Sequence, residues 1–99
     1  MTVQFEHKGS TLTVKPEGRM DTATSPELAQ QLQPEMEGVT DLIMDLEKID
    51  YLSSGGLRLL LTTEQTLEDR GGAMKLIHVN EYIMEIFEMT GFTEMITIE

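Results

Sequence analysis

Apolar residues along this chain fall into short groups whose spacing changes from one segment to the next. Val3 and Phe5, then Leu12 and Val14, alternate with polar residues on either side of Lys8-Gly9-Ser10. A period of two about a glycine turn predicts a hairpin with one wet face. From Pro16 to Thr24 the period breaks, and Pro16 and Gly18 punctuate an expected loop. Ser25-Pro26 then opens a first helix, with Ser25 as N-cap and Pro26 at the first helical position. Thr24 with Glu27 offers a capping box in a different frame, and both frames fit the sequence. Leu28, Leu32 and Met36 recur every four residues as its buried stripe, and Gly38 is the expected stop.

Asp41 to Leu46 is too short for a helix and apolar at consecutive positions, which suits a central parallel strand covered on two faces. After a loop over 47–52, Leu57, Leu60, Leu61, Glu64 and Leu67 return to helical spacing, ended by Gly71-Gly72. Met74 to Val79 reads as another strand. Ile83, Ile86 and Phe87 mark a third helix ended near Gly91, and 92–98 carries a terminal strand. A hairpin followed by repeated helix–strand units predicts an α/β domain, a mixed sheet with helices packed on it. Its 99 residues make one domain spanning 1–99.

Charge and composition then narrow the function. Eighteen acids against seven Lys and Arg give a net charge of −11. Such a surface repels phosphate backbones and anionic lipid, which argues against nucleic acid and membrane as partners. With no cysteine, a disulfide framework, a thiolate metal site and a Cys nucleophile are excluded. No apolar run approaches a membrane span and Met1-Thr2-Val3-Gln4 does not begin a signal peptide, so a soluble cytoplasmic domain is expected. His7 and His78 lack a metal-ligand spacing and there is no glycine-rich phosphate loop with a lysine, so neither metal nor cofactor is expected. Ser54, His78 and Asp21 have the residue types of a hydrolytic triad, but Leu52 stands where a nucleophile elbow needs glycine.

The segment with most chemical content is Tyr51-Leu52-Ser53-Ser54-Gly55-Gly56-Leu57-Arg58, which joins the expected central strand to a helix. In a parallel sheet it lies at the carboxyl ends of the strands, where α/β folds place their sites. Ser53 or Ser54 can cap the helix. Two glycines in a first turn cost up to about 1 kcal/mol each relative to alanine, so something must approach this turn closely. A serine there also suits a phosphate, because free N–H groups and the helix dipole favour negative charge. Arg58 lies one turn further on, as a solvated cation or a contact for a partner or a phosphate. Leu57 is either core or the rim of an interface. Glu64, Glu68, Glu81, Glu85 and Glu88 read as solvated helix faces.

Ile49 to Leu61 resembles the signature of the STAS domains that act as anti-sigma-factor antagonists. Gly18-Arg19-Met20-Asp21-Thr22-Ala23-Thr24 is similar to that family's Gly-x-x-Asp loop, Leu42 to Leu46 to its central strand, and Asn80 to Phe92 to its C-terminal helix and turn. The resemblance implies a STAS fold and a protein that is not an enzyme. It implies binding to an anti-sigma factor that is also a serine kinase, with release of a sigma factor. Phosphorylation of one serine would break that complex, and a serine phosphatase would restore it. The family pattern Asp-Ser-Ser/Thr-Gly-Leu, laid on Gly56-Leu57, puts the modified serine at Ser54. Ser53 stands where many members carry Asp and is a rival acceptor. Asp21, Thr22, Ser53, Gly55, Gly56, Leu57 and Arg58 become the expected partner contacts; with no contiguous apolar stripe left over after the core is filled, the free chain is expected to be a monomer. The alternative is a fixed STAS subunit of a transport or sensory complex without a phosphorylation cycle.

Overall fold

The computed structural model describes residues 1–99 as a six-stranded mixed sheet carrying three helices. In chain order the elements are β1 (Thr2–Lys8), β2 (Thr11–Met20), α1 (Thr24–Leu32), a 3-10 turn (Gln33–Met36), β3 (Asp41–Asp45), β4 (Ile49–Leu52), α2 (Ser54–Asp69), β5 (Ala73–Ile77), α3 (Glu81–Thr90), a second 3-10 turn (Phe92–Glu94) and β6 (Thr97–Ile98). The expected hairpin forms, β1 and β2 pairing antiparallel from Thr2–Glu17 to Lys8–Thr11. The sheet order is β1-β2-β3-β5-β6 with β4 beside β2, and every pairing after the hairpin is parallel.

β2 is longer than its pattern predicts, because it serves two partners in succession. Its first half pairs with β3 from Thr11–Asp41 to Val14–Met44, and its end pairs with β4 from Gly18–Ile49 to Met20–Leu52. Pro16 lies in the gap between those partners, where no strand on that side needs its missing N–H. Gly18 takes φ +103° at the register shift that follows, a conformation open to glycine. The expected loops over 16–24 and 47–52 are therefore largely strand. Proline, glycine and charge hid a short edge pairing that tertiary contacts supply.

The covering of the sheet also differs from expectation. Leu12, Val14, Leu42, Met44, Met74 and Leu76 point one way and are fully buried, in the one cluster of 20 apolar side chains that also holds Leu28, Leu60, Ile83 and Phe87 from the helices. Thr13, Lys15, Ile43 and Lys75 point the other way and stay half-exposed. All three helices thus lie on one face of the sheet, and β3 is central but covered on one side only. Burial of roughly 1.5–3 kcal/mol per large apolar side chain on that single face drives the fold.

Helix boundaries follow local chemistry. α1 gives way to a 3-10 turn at Gln33-Pro34, and Gly38 (φ +75°) turns the chain only after it. α2 ends in a Schellman motif: Gly71, at φ +78°, donates to the Glu68 carbonyl and Gly72 to that of Leu67. Asn80 caps α3 by accepting from Ile83 N–H at 2.8 Å, and Phe87 stacks on Phe92 at 4.8 Å. β5 stops at Ile77 because His78 takes φ +56°, and 92–98 is mostly turn with a two-residue β6. In α3 the stripe is narrower than expected, Ile86 being half-buried beside buried Ile83 and Phe87.

Glu64 overturns its reading as a solvated residue. It is 6% exposed, beside Thr63, on the buried face of α2, and its carboxylate accepts from Met74 N–H at 3.3 Å. Burial pushes its pKa up, the Met74 amide pulls against that, and Glu68 adds repulsion. A raised carboxyl pKa means that the ionised form weakens the fold, a cost present above that pKa and relieved as pH falls through it. Glu64→Gln keeps an acceptor for Met74 without the charge. It is expected to be more stable than the parent at pH 7, with the gain closing toward pH 4. Urea denaturation at both pH values checks this, and a variant less stable than the parent at pH 7 contradicts it.

Candidate functional site

The parallel pairing of β2 with β4 sets the site. Their carboxyl ends lie side by side, so the loop into α1 and the turn into α2 leave the sheet together. Ser53 N–H donates to the Met20 carbonyl at 3.0 Å and carries the pairing one residue past β4. Ser53 is the N-cap of α2, with extended backbone and its Oγ accepting from Gly55 N–H at 3.2 Å. Of the two serines able to cap α2, Ser53 is therefore the cap. Ser54, the first helical residue, is exposed and its Oγ makes no hydrogen bond. Leu57 N–H bonds the Ser53 carbonyl, while the amides of Ser54 and Gly56 find no partner in the chain.

The two glycines are explained by the chain's own packing. A Cβ on Gly56 would lie 2.5 Å from Leu52 Cδ1 and 2.7 Å from the Met20 carbonyl oxygen. On Gly55 it would lie 3.1 Å from Thr22 Cα. What approaches the turn is the neighbouring loop. Gly56 is buried, Gly55 half-buried, and Thr22 exposed across from it.

Asp21 sits in that neighbouring loop as the cap of α1, a role expected of Ser25 or Thr24. Its Oδ1 accepts from the N–H groups of Ala23 and Thr24, each at 2.9 Å, while Thr24 Oγ1 accepts from Asp21 N–H at 2.9 Å. The reciprocal cap thus runs from Asp21 to Thr24, three residues upstream of the expected box. The Thr24 amide is the main cause of a lowered Asp21 pKa, aided by Ala23, the Thr24 hydroxyl and Arg19. Arg19 Nε stands 3.6 Å from Asp21 Oδ2, and its guanidinium lies 4.0 Å above the Tyr51 ring. Ser25, displaced from capping, is buried with an unpartnered Oγ.

Of the remaining expected contacts, Leu57 is half-buried against the core, and Arg58 is exposed with no ion pair or hydrogen bond. Asp21, Thr22, Ser53, Ser54, Gly55 and Arg58 therefore gather at one edge, with Gly56 and Leu57 beneath. Beside them a groove of about 320 Å³ runs between α1 and α2, lined by Thr22, Ser25, Pro26, Gly55, Arg58 and Leu59 among others. The sequence reading missed Arg19 and this groove. The signal for the groove was the run Leu57 to Leu61, which holds more leucine than one helix face can bury.

His78 is remote from this chemistry. Its Nδ1 lies 2.9 Å from Asp45 Oδ1, and Asp21 is occupied by its cap, so the residue types of a triad are not assembled at Ser54. The Asp45 hydrogen bond raises the His78 pKa, helped by Glu47 and opposed by Lys15. Burial pushes Asp45 up, but His78 and the Glu47 amide outweigh it, and the net shift is downward. No cluster of side chains could hold a metal ion, and no helix is long and apolar enough to cross a membrane.

A family model described as "STAS domain" matches residues 2–99. The chain belongs to the STAS domain family. An anti-sigma-B factor antagonist of Bacillus subtilis (strain 168) is 28% identical to this STAS protein over 98 residues, covering 99% of this chain and 90% of the relative. Among solved structures, the anti-sigma factor antagonist SpoIIAA in its unphosphorylated form superposes with a TM-score of 0.78 at 18% identity, covering 99% of this chain and 87% of that one. The Bacillus cell fate determinant SpoIIAA in its phosphorylated form gives 0.76 at 19% identity, with 99% and 91% covered. At those identities the superpositions establish a shared STAS fold.

Two substitutions test the geometry. Gly56→Ala is expected to cost about 1–3 kcal/mol by overpacking against Met20 and Leu52, read as a fall in the denaturation midpoint. Asp45→Asn is expected to bring the His78 pKa down toward 6.5 in a proton NMR titration. The pair's contribution is lost as pH falls through the depressed Asp45 pKa and as it rises through the raised His78 pKa.

Proposed function

We propose that this STAS protein is an anti-sigma-factor antagonist. It binds a kinase-type anti-sigma factor, frees the sigma factor, and is switched off when that kinase phosphorylates Ser54, until a serine phosphatase reverses the mark. The observation that carries this reading is the division of labour between two adjacent serines. Ser53 is committed to the cap, whereas Ser54 stands exposed on the first turn with its hydroxyl unengaged. The Bacillus subtilis antagonist, matched almost end to end, supports the choice of partner. Ser53 occupies the place of the usual Asp and accepts the same Gly55 amide bond that a capping carboxylate could.

Phosphate adds about −1.5 to −2 charge near pH 7. At Ser54 that charge meets the unpaired amides of Ser54 and Gly56 and the positive end of the α2 dipole, so the fold tolerates it. A partner seated over Thr22, Gly55 and Arg58 must instead desolvate a charged group. A penalty of about 3 kcal/mol there exceeds a hundredfold in affinity. Ser54→Ala is therefore expected to bind the anti-sigma factor as tightly as the parent, and Ser54→Asp at least about a hundredfold more weakly. Calorimetry measures both, and the amide spectrum of Ser54→Asp should move only near α2. A fixed subunit of a larger complex would bind both variants alike, and that result ends the switching proposal.

A further inference from the structure

Arg58 is a cation without a partner in a chain of net charge −11. Every other arginine is engaged: Arg19 on Asp21 and Tyr51, Arg70 on the carbonyls of Met36 and Val39. Arg58 is also four residues beyond Ser54 on the same helix, both residues being exposed, a spacing that brings Cβ atoms to roughly 5–6 Å. No acid competes for it nearby. The first turn of α2 contains none, and the α1–α2 groove has no Asp or Glu in its lining, from Thr22 and Arg58 at one end to Arg70 at the other. The one carboxylate in the facing loop, Asp21, is held by the amides of Ala23 and Thr24 and by Arg19. The groove also holds the buried, unpartnered hydroxyl of Ser25.

We infer that Arg58 is the intramolecular counter-ion of a phosphate on Ser54. The pairing rests on the proposed modification of Ser54 and extends it. In the unmodified chain the guanidinium is free at the mouth of a groove without acids, available to a carboxylate of the partner. Once Ser54 carries phosphate, the guanidinium is drawn back one helical turn onto it, assisted by the free amides of the first turn. Modification then does two things at one place: it adds a bulky anion and withdraws the cation from the docking edge. A short carboxylate at position 54 reproduces the first effect better than the second.

The test separates this pairing from the signalling role by installing phosphoserine at position 54 during protein synthesis, so that no kinase is needed. Phosphorus NMR then titrates the second ionisation of the phosphate, which lies near pH 6 when unperturbed. In the folded parent it is expected below its value in the urea-unfolded chain. Arg58→Gln should raise it by about 0.3 units, a twofold change in the acid constant of the size an exposed i,i+4 pair supports. Arg58→Lys should restore part of the shift, and added salt should narrow the gap between parent and Arg58→Gln. Arg58 is exposed, so these variants fold as the parent does. An identical titration for parent and Arg58→Gln overturns the pairing, whatever the kinase does. A kinase that leaves Ser54 untouched, with the shift intact, overturns the signalling role and leaves the pairing standing.

Discussion

The carbonyl of Met20 is the point on which the arrangement turns. It accepts the Ser53 N–H at 3.0 Å and lies 2.7 Å from where a side chain on Gly56 would begin. One oxygen thus extends the β2–β4 pairing past the strand, fixes the residue that caps α2, and requires glycine in the next turn. Removing either constraint would let the first turn of α2 tilt away from the β2–α1 loop. Thr22, Ser54 and Arg58 would then no longer share an edge.

Much of this was written locally in the sequence. The hairpin, the order of helices and strands apart from β4, the glycine stops at Gly71 and Gly91, and the placing of Ser53 to Arg58 at the carboxyl ends of the strands all follow from periodicity and turn chemistry. What stayed hidden depends on partners far along the chain. β4 is four residues long with Asp50 exposed, and only its pairing with the end of β2 makes it a strand. Pro16 and Gly18 suggest a loop until the change of partner along β2 supplies a place for each. Glu64 resembles any solvated acid until the Met74 amide beneath it is known. Sequence places the cap of α1 on the wrong residues because Ser25-Pro26 is a stronger local signal than Asp21, four positions before Ser25.

At the site itself, residue types and order were legible but their division of labour was not. The glycines implied that something approaches the turn closely, and what does so is Thr22 and Met20 of the same chain. The serines were interchangeable as caps on paper, and the extended backbone of Ser53 decided between them. Such distinctions rest on a few ångströms of packing between two loops, information that no single stretch of sequence contains.

The absence of acids from the α1–α2 groove has a consequence for motion before contact. A molecule of net charge −11 with its carboxylates kept off one seam carries a lopsided field. An incoming anion is repelled least along that seam, an orienting bias that acts within about one Debye length, near 8 Å at physiological salt. The seam is thus a bearing for diffusional approach, shortening the orientational search that precedes docking.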